Sequence, residues 1–183
     1  DYAYLRTLPE IIIAAPSSEA ECRLLLSTCY QHPGPAAVRY PRGQGPGELP
    51  DASLNTVDIG KAVVRRERQS GIVILGFGSR VFAALEAAET LDATVVDMRW
   101  IKPLDEDTLR QHADAKLVVT VEEHQRMGGA GSAVGEFYVD SGLSVALLSL
   151  GLPDRFEAHG KPKAMLERVG LDASGITAAI LDR

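Results

Sequence analysis

The sequence predicts an α/β fold: a parallel or mixed sheet with helices on both faces, preceded by a short first unit. Three observations predict it. Short apolar runs alternate with longer stretches of helical spacing. The runs are nearly continuous in apolar residues, as strands buried on both faces are, rather than alternating with polar ones. A stretch rich in glycine and proline, Gly43 to Pro50, divides the chain unequally.

The elements follow in order. Ile11 to Ala14 is an apolar run bounded by polar and proline residues, and reads as a buried strand. Ser18-Glu19-Ala20-Glu21 is a capping box, after which Cys22, Leu25, Leu26 and Cys29 recur at helical spacing. Ala36 to Arg39 reads as a second short strand. Residues 44–58 read as a linker, with the second unit starting near Asp58. There, Ala62 to Arg66 reads as an edge strand, and Ile72 to Gly76, Ala93 to Asp97, Lys116 to Glu122 and Ser144 to Leu150 as buried ones. Helices are expected at about Arg80–Leu91, Asp105–His112 and Ala130–Asp140, and in the tail at Lys163–Val169 and Ser174–Leu181. There are no internal repeats.

Composition narrows the function. The chain has 183 residues, a net charge of −6, 45% hydrophobic and 24% charged residues, which is ordinary for a soluble globular protein. A nucleic acid or an anionic membrane would need a basic face, so neither is expected as a partner. No apolar run approaches the ~20 residues that span a bilayer. The start at Asp1 carries no initiator Met and no signal-peptide pattern, and reads as truncated or processed. Cys22 and Cys29 lie about two helical turns apart, too far along one helix for a bridge, and read as reduced core thiols of a cytosolic protein.

Three patterns could carry chemistry. Gly76-Phe77-Gly78-Ser79-Arg80-Val81, between a strand and a helix, with Asp97 ending the next strand, is similar to a dinucleotide fingerprint. Val81 replaces its third glycine, and a plain strand-to-helix turn is the expectation. Val118 to Phe137 is the second pattern. A strand ends in Glu122, Glu123 and His124, passes a Gly128-Gly129-Ala130-Gly131 turn and opens into a helix. Glycines there could let a phosphate approach backbone N–H groups, or the acids could cap the turn; both readings stand. His32, His112, His124 and His159 lack metal-ligand spacing and read as surface or hydrogen-bonding residues. The third is Val38-Arg39-Tyr40-Pro41-Arg42-Gly43. Two arginines follow a strand in a stretch that holds four arginines against seven acids up to Asp58. Pro41 stiffens the turn and Gly43 lets the chain leave, and a guanidinium held there can grip a phosphate with two N–H groups, or pair with an acid.

The same residues carry a family resemblance. Asp1-Tyr2-Ala3-Tyr4-Leu5-Arg6, Ala15-Pro16-Ser17, Ala37 to Gly43, Val96 to Asp105, Val119 to Glu123, Met127 to Ser132, Leu150 to Asp154 and Gly170 to Gly175 form eight blocks in one order. Together they resemble the C-terminal part of the 1-deoxy-D-xylulose-5-phosphate synthases, transketolase-like enzymes dependent on thiamine diphosphate. The resemblance implies a bacterial, cytoplasmic homodimer that condenses pyruvate with glyceraldehyde 3-phosphate, with loss of carbon dioxide, in the first step of an isoprenoid route that also feeds thiamine synthesis. It implies thiamine diphosphate and Mg2+ as cofactors of the intact enzyme.

The resemblance also sets limits. The family's chain is several times longer, and its pyrophosphate domain and the front of its pyrimidine domain have no counterpart here. The resemblance makes the first unit a fragment of a second α/β domain: residues 1–43 then correspond to the back part of the pyrimidine-binding domain and 59–183 to a transketolase-like C-terminal domain. One family site residue maps onto this sequence: Arg42 matches the arginine that binds the phosphate of glyceraldehyde 3-phosphate, while Arg39 and Tyr40 read as structural. No catalytic residue, cofactor ligand or metal ligand maps onto it, so the chain alone is expected to be inactive. Two other classes are weighed. One is a dimerisation or structural C-terminal module of another transketolase-like or 2-oxo-acid dehydrogenase enzyme. The other is a nucleotide-binding oxidoreductase built on Gly76, Gly78 and Asp97.

Overall fold

A computed structural model describes residues 1–183. The chain opens with a single helical turn, α1 (Tyr2–Leu5), whose first N–H is taken by the Asp1 side chain. Strand β1 (Ile12–Ala14) is apolar and buried throughout. Helix α2 (Glu19–Gln31) starts where the capping box places it, with Ser18 Oγ accepting from the Glu21 N–H at 3.2 Å. After β2 (Ala36–Val38), residues 39–62 carry no regular element.

The remainder alternates strand and helix: β3 (Val63–Arg66), β4 (Ile72–Gly76), α3 (Arg80–Leu91), β5 (Thr94–Asp97), β6 (Trp100–Lys102), α4 (Glu106–Gln111), β7 (Leu117–Gln125), α5 (Ala130–Asp140), β8 (Leu147–Leu152), α6 (Pro162–Arg168) and α7 (Ala173–Leu181). Five strands form one sheet in the order β3-β5-β4-β7-β8, parallel except for antiparallel β3 at one edge. Side-chain alternation along β4 shows how its faces are covered. Val73 and Leu75 belong to a core that includes Val134 and Tyr138 of α5 and Leu109 of α4. Ile74 points the other way, among Ala84, Ala88 and Leu91 of α3 and Ile176 and Ile180 of α7. The expected sheet with helices on both faces is the observed one.

Two elements were not expected. Besides the single turn α1, the three residues of β6 leave the five-stranded sheet and pair antiparallel with β1, giving a second sheet of order β2-β1-β6. Arg99 makes the reversal between β5 and β6 at φ 57°, and its carbonyl accepts from the Ala15 N–H at 2.7 Å. The stretch before the glycine- and proline-rich segment is therefore packed into the rest of the fold. Tyr2, Ile11, Ile13 and Ala15 share one hydrophobic cluster with Val73, Leu75, Val96, Ile101 and Val134. Trp100 fills a further cluster with Ile12, Leu25 and Cys29 beneath α2. Cys22 and Cys29 are free thiols, and burial pushes the Cys29 thiol up to about 11. No helix is long and apolar enough to cross a membrane.

Candidate functional site

In an open parallel sheet, ligands favour the crevice outside the carboxyl ends of strands where the connections diverge. Here β4 is flanked by β5 on one side and β7 on the other, so the divergence lies between β4 and β7. At the carboxyl ends of these strands lie Gly76 to Arg80, where β4 gives way to α3, and Glu122 to His124, the last part of β7, two of the three patterns that the sequence marks out.

The glycine turn after β7 is closed by the protein's own carboxylate. Glu122, 1% exposed, accepts from the Ala130 N–H at 2.7 Å through Oε2 and from the Gly131 N–H at 2.8 Å through Oε1. These are the free amides at the start of α5, the groups a bound phosphate would use. The approach is so close that a Cβ on Gly129 would lie 2.3 Å from Oε2, and one on Gly131 would lie 2.5 Å from Thr120 Oγ1. The glycines seat α5 on the sheet and admit Glu122. Burial pushes the Glu122 carboxyl up to about 7, against the pull of the two amides and of Arg6 and Arg39. Of the two readings left open, phosphate cradle or capped turn, the geometry is that of the capped turn.

The Gly76–Val81 turn is likewise covered. Gly78, at φ +63°, faces the Pro16 carbonyl oxygen, 3.6 Å from where its Cβ would be. Asp97 is fully buried, accepting from Ser17 Oγ at 2.5 Å and from the Arg99 N–H at 3.2 Å, with Arg65 Nη1 at 3.6 Å. Burial pushes its carboxyl up to about 6. Ala15 to Ser17 thus lie over the turn a pyrophosphate would occupy, and Asp97 is spent on Ser17. A plain strand-to-helix turn is the observed arrangement.

The third pattern remains open to solvent. Arg39, part-buried, donates from Nη2 to the Glu123 carbonyl at 2.7 Å and lies 5.4 Å above the Tyr2 ring. Tyr2 in turn stacks on His124 at 4.8 Å, and His124 Nδ1 lies 2.8 Å from the Gln125 carbonyl. Burial holds the His124 imidazole below its usual range. Arg39 and His124 are thus held by contacts within the fold. Arg42 is exposed and lines two adjoining hollows of about 460 and 470 Å³, which share Glu123, Pro162 and Leu166. In one, its neighbours include Phe156 and Met165; in the other, Lys163 and Arg80. Glu123 accepts from Ser79 Oγ at 2.9 Å and lies 3.7 Å from Arg80. The guanidinium of Arg42 makes no ion pair within the chain, which leaves its N–H fork free for an anion.

Two charged groupings escaped the sequence reading. Glu21 grips Arg99 through two bonds, at 2.6 and 2.7 Å, and so ties α2 to the β5–β6 reversal. Arg126, Arg155 and Arg168 line one cavity beside β8. Neither shows a local signal, because the partners are separated by 13 to 78 positions in the chain.

Comparisons with known proteins agree with this fold. The family described as "Transketolase, C-terminal domain" matches residues 60–176. A 1-deoxy-D-xylulose-5-phosphate synthase of Marinomonas sp. (strain MWYL1) is 54% identical over 180 residues, 98% of this chain and 29% of the relative. The protein of the same name from Pseudomonas syringae pv. tomato is 54% identical over 184 aligned positions, and covers all of this chain with 29% of its own length. The chain thus spans under a third of the relatives it matches. Among solved structures, one described as a split gene transketolase, inactive beta4 tetramer, superposes with a TM-score of 0.85 at 30% identity, over 99% of this chain and 59% of that one. A transketolase from Campylobacter jejuni shares the fold, with a TM-score of 0.66 at 18% identity over 99% of this chain and 27% of its own.

Proposed function

This chain belongs to the transketolase C-terminal-domain family, and from that premise we propose that it is the C-terminal part of a 1-deoxy-D-xylulose-5-phosphate synthase. The observation that carries the proposal is the 54% identity to such synthases over essentially the whole chain. In the intact enzyme the carboxylate of pyruvate leaves as carbon dioxide. Its C2 bonds to the aldehyde carbon of glyceraldehyde 3-phosphate, and the aldehyde oxygen takes up a proton. Thiamine diphosphate, held with Mg2+ elsewhere in the enzyme, supplies the electron sink for that decarboxylation. The amides that could have received a diphosphate here are occupied by Glu122, so no step is assigned to this chain through the cofactor. Residues 1–43 are the back part of the pyrimidine-binding domain, 44–58 a linker and 59–183 the C-terminal domain. The whole enzyme is a cytoplasmic homodimer.

The role of this chain in substrate binding falls to Arg42, which would hold the phosphate of glyceraldehyde 3-phosphate. Its support is the free guanidinium at the junction of two hollows, three residues beyond an arginine that is tied to the Glu123 carbonyl. A charge-assisted contact of this kind contributes about 2–3 kcal/mol, so Arg42→Ala in the intact enzyme should raise KM for glyceraldehyde 3-phosphate some 30- to 150-fold and leave KM for pyruvate unchanged. Equal losses for the two substrates would remove the assignment. The isolated chain, given thiamine diphosphate and Mg2+, should show no turnover in a coupled assay; measurable product would overturn the division of roles.

A further inference from the structure

The cavity beside β8 combines three arginines from three separate segments. Arg126 comes from the turn after β7, Arg155 from the loop after β8, and Arg168 from the end of α6. No acidic side chain lines it, although the chain as a whole carries a charge of −6. Its volume is about 250 Å³, below the ~300 Å³ at which sites for drug-sized molecules begin. The space suits a phosphate with a few further atoms.

The guanidiniums are only partly committed. Arg155 spends Nε on Glu157 at 2.6 Å, and Arg168 spends Nη1 on the Ala158 carbonyl at 3.0 Å. Arg126 makes no side-chain bond within the chain. Each fork has five N–H donors, so most remain available. The backbone is shaped to place one of them. A Cβ on Gly151 would lie 2.8 Å from the His124 carbonyl oxygen and 3.1 Å from Arg126 Cγ, so the missing side chain lets both the end of β7 and the Arg126 stem lie close against β8. β8 is also the last strand of its sheet, and its outer edge has no partner strand. Arg155 already has a carboxylate partner in Glu157, but Arg126 and Arg168 have none, and an anion bound in the hollow would supply it.

We propose that this cavity binds a small phosphate-bearing anion between Arg126, Arg155 and Arg168. The cavity adjoins the hollow beside Arg42, sharing Pro153, Arg155 and Val169 with it, but Arg126 and Arg168 lie outside that hollow, and the proposal does not depend on the reading of Arg42. The test is calorimetric titration of the chain with inorganic pyrophosphate at low ionic strength. Saturable binding is expected. Arg126→Gln and Arg168→Gln should each weaken it about tenfold or more, as loss of a charged hydrogen bond does, while Arg68→Gln, at an exposed arginine paired with Asp92 away from the cavity, leaves it unchanged. Amide shifts in the unsubstituted chain should gather at Ser149, Gly151 and Leu171, which line the cavity. Absence of saturable binding would overturn the proposal. So would binding that is lost with Arg42→Gln and kept in the Arg126→Gln and Arg168→Gln variants, or amide shifts that gather away from β8.

Discussion

Glu122→Ala is the sharpest test of how the β7–α5 turn is held. The carboxylate satisfies two buried amides, at 2.7 and 2.8 Å, and has 1% exposure of its own. Each amide left without a partner costs ~1–3 kcal/mol, and the lost anion at a helix N-terminus adds ~0.5–1 kcal/mol. Part of this is offset, because the variant no longer buries a carboxyl whose protonation is pushed up to about 7. A net loss of about 2–4 kcal/mol is expected, a large share of the ~5–15 kcal/mol that holds a domain together. Equilibrium unfolding in urea at pH 7 measures it. With m of about 2 kcal/mol/M, the midpoint should fall by roughly 1–2 M at unchanged slope. Glu122→Gln keeps one acceptor and should fall between the two. A loss under about 1 kcal/mol for the alanine variant would show that the amides find other partners, and the argument for the capped turn would fail.

Three further outcomes follow from the same geometry. Gly129→Ala places a Cβ 2.3 Å from Glu122 Oε2 and 2.6 Å from the Gln125 carbonyl; it should destabilise as much as Glu122→Ala, and the double variant, by urea unfolding, should cost clearly less than the sum. Stability should fall as pH rises from about 4 to 7, because Glu122 (about 7) and Asp97 (about 6) hold protons more tightly folded than unfolded; the contribution is complete below the unfolded pKa values and lost through the folded ones. Urea series across that range should show a flatter slope for Asp97→Asn and for Glu122→Gln, and an unchanged slope in both would refute the assignment. Glu21→Ala strands the Arg99 guanidinium, only 13% exposed, and should cost about 3 kcal/mol by the same measurement, whereas a neutral result would mean the pair contributes nothing.

What was legible in the sequence was whatever a short window can encode. The buried strands of the large sheet show as unbroken apolar runs, and the Ser18–Glu21 capping box marks the start of α2 to the residue. β6 was not legible. It is three residues long, its partners Ile13 and Ala14 lie more than eighty positions earlier, and the reversal that frees it is an arginine at positive φ, which no residue type announces. β7 runs on to Gln125, past the expected end at Glu122, because Gln125 still pairs with Leu152 of β8. The strand after α5 begins at Leu147 rather than Ser144, where β7 first offers it a partner, Val118. For Glu122 the sequence allowed either a phosphate cradle or a capped turn. The deciding contacts reach eight and nine residues ahead, across a turn whose path the residues alone do not fix.

The glycine- and proline-rich stretch suggests two units, but the packing joins them, and that bears on Arg42. A residue that recognises a phosphate needs a fixed backbone and a free head group. The sequence Arg39-Tyr40-Pro41-Arg42 divides these needs between two arginines. Arg39 anchors the exit of β2 to the Glu123 carbonyl at the end of β7, and Tyr2 and His124 stack behind it. Tyr2 itself sits in the core shared with Val73, Leu75 and Val134. The position of Arg42 is thus set by the large sheet, through Arg39, although Arg42 precedes every strand of that sheet in the chain. Arg39→Gln should then disturb a ligand held by Arg42 without touching it. In the intact enzyme, KM for glyceraldehyde 3-phosphate should rise by a smaller factor than with Arg42→Ala, and the double variant should be little worse than Arg42→Ala alone. Strictly additive effects would mean that the two arginines act independently, and that the shared core does not position the phosphate site.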